Sequence, residues 1–183
     1  MKRILLGGIL GGVTLFAWSF LSWMILPLHD SSLRDFTNDS AVAQVLLANV
    51  PESGVYHLPA IRGRAGESHD AGMARMMKGQ HMLAAVRLGD MSSGDFGTLY
   101  GLQLLFMILT GCMMAWLLTR TTGLGYLGAA SFLAVVGAVV AVTADLPNWN
   151  WWGFSLPFTI AYVVDHIVGS FLAGLVMARF VRS

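Results

Sequence analysis

The sequence predicts an all-α transmembrane four-helix bundle with a small extracytoplasmic α/β insertion between its first and second helices. Three observations predict it. Apolar residues make up 56% of the 183-residue chain and charged residues 11%, against roughly 45–50% and about 25% in soluble domains. Runs nearly free of charge cover residues 4–28, 98–119, 124–146 and 156–178. Each is near the roughly 20 residues that an α-helix needs to cross about 30 Å of hydrocarbon. The basic residues at the run ends then fall on one side of such an array.

The first span follows Lys2 and Arg3 and continues uncharged to Leu28. A cleaved signal peptide has an apolar core of only roughly 7–15 residues, so a retained helix is expected over residues 1–28. Gly7-Gly8 and Gly11-Gly12, continued by Ser19 and Ser22, form a small-residue face, which lets bilayer helices approach closely. The second span holds one strongly polar residue, Gln103, and the only cysteine, Cys112, read as a small packing residue. The third aligns Ala134, Ala138, Ala141 and Asp145. The fourth has two sides. Ile160, Val164, Ile167, Phe171 and Leu175 are expected to face lipid; Ala161, Asp165, Gly169 and Ala173 are expected to face other helices.

Orientation follows from basic residues close to the span ends. Lys2, Arg3, Arg120, Arg179 and Arg182 all lie on one side if both termini are cytoplasmic. The connection from Pro147 to Ser155 then lies outside, where Trp149, Trp151 and Trp152 suit an interfacial aromatic belt.

Residues 29–97 read as the extracytoplasmic segment, and residues 98–183 as the three remaining helices. Asn38 or Asp39 can cap a helix that stops before Pro51; Ser68 can cap another that runs through Lys78. Gly54–Leu58 and Met82–Leu88 are strand candidates, and residues 61–67 are a Gly- and Arg-rich loop. Such a unit is small for an independent core.

A net charge near +1 provides no field to attract nucleic acid. The chain shows no phosphate-binding loop, zinc-type spacing, nucleophile elbow or triad pattern, so an enzyme is unsupported. The candidate positions are few. Asp165 and His166 lie well inside the fourth span, where an ionisable group costs about 2.5–3.5 kcal/mol at the helix centre. They read either as a clamp fixing helix registry or as part of a relay, with Gln103 at similar depth as a hydrogen-bond partner. The inner half lacks the further groups a relay needs. Asp145 either joins a cavity with Asp165 or is a solvated helix end. His69, Met73, Met76, Met77, His81 and Met82 carry the imidazole and thioether ligands of monovalent copper. They equally form the apolar face of an amphipathic helix whose Arg75 and Lys78 face headgroups. The tryptophans at 149–152 are an interface anchor, or a platform for a lipid or quinone headgroup.

Ser53-Gly54-Val55-Tyr56 with Leu58-Pro59, the stretch Leu146-Pro147-Asn148-Trp149-Asn150-Trp151-Trp152-Gly153, and the opening helix with Trp18, Ser22, Trp23 and Leu26-Pro27-Leu28-His29 carry a resemblance. Together they resemble a group of bacterial four-helix inner-membrane proteins of about this length to which no activity is assigned. The resemblance spans most of the chain. It implies a bacterial inner-membrane setting and transfers no catalytic residue.

The expectation is a non-enzymatic accessory or scaffold subunit in the lipid bilayer. It would form a homo-oligomer or join a larger membrane complex through its glycine-rich faces and outer segment. The alternative is a small carrier or an extracytoplasmic copper-handling protein.

Overall fold

The computed structural model describes residues 1–61 and 65–181. Arg62 and Arg64 of the expected Arg-rich loop, and Arg182 of the basic C-terminus, lie outside the described residues. The chain divides into two units.

The larger unit holds Met1–Leu33, Met91–Trp149 and Phe154–Ser183. Its helices are α1 (Lys2–Met24), α4 (Ser93–Leu118), α5 (Tyr126–Val140) and α7 (Leu156–Val181), in chain numbering that leaves α2 and α3 to the smaller unit. A π-helical turn, Ala141–Asp145, and α6 (Leu146–Trp152) continue α5. Four helical runs are therefore long and apolar enough to cross a membrane, as expected of a multi-pass membrane protein.

Helix packing follows the order α4–α1–α7–α5, with α4 and α5 not packing partners. Glycine explains the central place of α1. A Cβ on Gly8 would stand 2.7 Å from the Cys112 Cα, and one on Gly12 would overlap the Ile108 backbone, so this pair admits α4. A Cβ on Gly7 would stand 2.9 Å from Val181, and one on Gly11 would overlap Met177, so the second pair admits α7. Two adjacent pairs thus give α1 two faces of close approach. In a bilayer, which gives helices no hydrophobic drive to associate, such close packing would hold them together. Gly169 meets Trp18, and Ala173 is fully buried.

Leu15, Met114, Leu118, Ala129, Leu133, Ala173 and Met177 close the core near the end that carries the chain termini. Arg120 over Trp116 and Arg179 over Tyr126 make cation–π contacts at that same end.

Several expectations shift. The buried residues of α5 are Ala129, Ala130, Leu133 and Gly137, followed by Ala141 and Asp145 of the π turn; Ala134 and Ala138 are half-buried. Gly137 takes the place of alanine because a Cβ there would overlap the His166 carbonyl oxygen of α7. The helix α4 starts at Ser93 rather than 98, because Ser92 and Asp95 form a reciprocal capping box ahead of the apolar run. The connection expected from Pro147 to Ser155 is helical as far as Trp152, and Gly153 then turns the chain at φ 72°. The π turn makes this possible. A proline ring collides with the carbonyl four residues earlier and donates no hydrogen bond. Immediately ahead of Pro147 the ladder widens, with the Leu146 N–H donating to the Ala141 carbonyl five residues back.

The smaller unit holds Arg34–Asp90 and Asn150–Gly153. It contains α2 (Asp39–Asn49), β1 (Gly54–Leu58), α3 (His69–Met76) and β2 (Met82–Val86). Asn38 caps α2 and Ser68 caps α3 through their side-chain oxygens. The strands pair antiparallel, with Gly54 opposite Val86 and Leu58 opposite Met82. Arg75 does not reach outward as expected. It grips Glu67 with Nε to Oε1 at 2.9 Å and Nη2 to Oε2 at 3.0 Å, and donates to the Ala60 carbonyl. The hydrogen bond to the Glu67 carboxylate holds the guanidinium above its ordinary value.

Candidate functional site

The strongest polar cluster of the helical unit forms where α1 ends. After Met24 the chain turns through Pro27 and folds back, which returns His29 to Ser22. Ser22 is fully buried and His29 nearly so. The Ser22 hydroxyl donates to Asp165 Oδ1 at 2.5 Å, and His29 Nε2 lies 3.0 Å from Asp165 Oδ2. His29 Nε2 is also 3.2 Å from Ser22 Oγ. Trp23 stacks on His29, with ring centroids 3.9 Å apart and planes 16° apart, and Tyr162 meets both rings edge-on.

A second pair lies beyond Tyr162. His166 Nε2 stands 3.3 Å from Asp145 Oδ2, within ion-pair range but not aligned as a hydrogen bond. The π turn carries Asp145 into this buried position, so it is no solvated helix end. Tyr162 and His166 have centroids 6.3 Å apart. Two histidine–carboxylate pairs therefore flank one tyrosine. Asp165 lies roughly 13 Å along α7 from Leu156, at about 1.5 Å per residue.

Depth in the spans pairs Asp165 with Gln103 on sequence alone. Both Asp165 oxygens are instead engaged by Ser22 and His29, while Gln103 lines a neighbouring cavity together with Asp165 and His166. Ser22 reads from the sequence as a packing residue and as part of the resemblance, and His29 only as part of the resemblance. The usable signal was a histidine just past a proline at the end of a span.

Serine, histidine and aspartate in contact invite comparison with a hydrolase triad. The geometry differs in the features that matter. In a triad the imidazole uses one nitrogen for serine and the other for the carboxylate. Here a single atom, His29 Nε2, faces both groups. His29 Nδ1 is buried with no partner among the described residues. The serine proton is directed to the carboxylate, and no surface of Ser22 is exposed to a substrate. The arrangement ties α1, the following turn and α7 together.

The other candidates are more dispersed. Met73 is 41% exposed and Met77 is 75% exposed. His81 donates through Nε2 to the Met76 carbonyl, which occupies that nitrogen. Among the described residues no three His, Cys, Asp or Glu side chains converge as for a metal ion. Trp149, Trp151 and Trp152 stand exposed on α6, and Trp152 meets His57 edge-on at 5.8 Å. Comparison with family models, with curated proteins and with solved structures yields no match.

Proposed function

We propose that the chain is a non-enzymatic accessory or scaffold subunit of a bacterial inner membrane, with both termini cytoplasmic and the Arg34–Asp90 unit outside. The observation that carries this reading is the incomplete core of that unit. Among its described residues Val50 alone is buried. Phe36 is 64% exposed, Val45 63%, Leu47 67% and Val55 72%. Exposed apolar surface of this kind marks an interaction site. The paired glycines of α1, by contrast, are filled within the chain by α4 and α7, so they are not free to recruit another subunit. Association therefore falls to the extramembrane unit, with a second copy or a larger membrane complex as partner.

The test is isolation in mild detergent from the native membrane, followed by size analysis. A stable oligomer or complex is expected in the native chain, and Leu47→Asp should dissociate it while the thermal midpoint of the helical unit stays put. A monodisperse, partner-free native chain would contradict the reading.

A further inference from the structure

The helical unit contains a cavity of about 440 Å³ flanked by α4 and α5, with walls from α1 and α7. Its volume falls in the range of small-molecule sites, roughly 300–1,000 Å³. The cavity is graded. Trp18, Trp23, Gln103, Tyr162, Asp165 and His166 line the end near the α1–α7 polar cluster. Leu15, Met107 and Met114 line the part closer to the chain termini.

Two observations select the occupant. Gln103 is exposed in the middle of an apolar helix and makes no hydrogen bond among the described residues. An amide facing hydrocarbon is costly unless something pairs with it. Its N–H₂ offers two donors to an acceptor. Second, no Lys or Arg among the described residues lines the cavity, and Asp165 is already engaged by Ser22 and His29. An anionic head would meet no cation there, and a cationic head would compete for an occupied carboxylate. What remains is an uncharged head bearing carbonyl oxygens, flat enough to lie against Trp18 and Trp23, with an apolar tail toward Met107 and Met114.

We propose that this cavity binds a lipid-soluble quinone, a carbonyl oxygen of its head accepting from Gln103. The proposal requires only that the helices span a bilayer, and not the accessory-subunit reading, so a partner-free chain is still a valid test object.

The full chain is placed in phosphatidylcholine nanodiscs and titrated with a benzoquinone carrying a ten-carbon chain, with tryptophan quenching as the readout. The expected result is saturable quenching. Gln103→Leu should weaken it about tenfold, the scale of one good hydrogen bond lost in a dry site, without lowering the thermal midpoint. Thr110→Phe should remove the saturable component by filling the cavity. Among the described residues the Thr110 hydroxyl bonds only back to the Phe106 carbonyl of its own helix, so the change breaks no interhelical bond among them. Quenching that is linear in quinone, or equally saturable in all three proteins, overturns the proposal. So does displacement of the quinone by decyltrimethylammonium at lower concentration, which would assign the cavity to cationic amphiphiles.

Discussion

Replacing Asp165 separates a hydrogen-bonded clamp from an incidental contact. Asp165→Leu removes the acceptor of the Ser22 hydroxyl and of His29 Nε2, both buried. Each stranded polar group costs about 1–3 kcal/mol, and breaking a buried pair by deleting one partner costs about 3–5 kcal/mol in all. Asp165→Asn should be milder, at about 1–2 kcal/mol. Its oxygen can still accept from Ser22. Its N–H₂ would face the His29 Nε2–H, but His29 Nδ1 has no partner among the described residues, so the imidazole proton can move there and leave Nε2 as acceptor. Ser22→Ala alone should cost about 1 kcal/mol, and in the Asp165→Leu background it should cost nothing or recover part of the loss, because the stranded hydroxyl is gone. The assay is unfolding in mixed micelles titrated with sodium dodecyl sulfate and followed by tryptophan fluorescence. Asp165→Leu within about 0.5 kcal/mol of the native chain, or strictly additive Ser22 and Asp165 effects, would refute the clamp.

Three further changes probe the frame that holds the clamp. Gly12→Ala places a Cβ into the Ile108 backbone and should cost about 1–3 kcal/mol by forcing α1 from α4. Gly101→Ala meets nothing within 4 Å and should be neutral or stabilising by up to about 1 kcal/mol in the same assay. Ser92→Ala removes one half of the α4 capping box and should cost about 0.5–2 kcal/mol, with fraying of the first turn seen as faster amide exchange at residues 93–96.

The spans were legible because a bilayer-crossing helix leaves little freedom in length or composition, and the Gly-Gly pairs of α1 announced close packing. The strand Gly54–Leu58 and the caps Asn38 and Ser68 were legible for a local reason: each depends on neighbours within a few residues. The clamp was only half legible. Asp165 stood out as a charge inside an apolar run, but its partners are fixed by a return of the chain at Pro27, and no periodicity encodes where a turn sends a side chain. Gly137 was passed over in favour of alanines because the close approach of α7 is a tertiary fact. The π turn was invisible for the same kind of reason: proline in an apolar run reads as a helix end until the ladder ahead of it is known to widen.

The central claim is that four spans cross a bilayer with the Arg34–Asp90 unit outside. Cysteine labelling tests it most directly, in a Cys112→Ala background with single substitutions Asp70→Cys and Arg120→Cys, using a membrane-impermeant maleimide on intact cells. The account predicts labelling at 70 in intact cells, and at 120 only after the membrane is opened. Labelling at 120 but not at 70 in intact cells would contradict it.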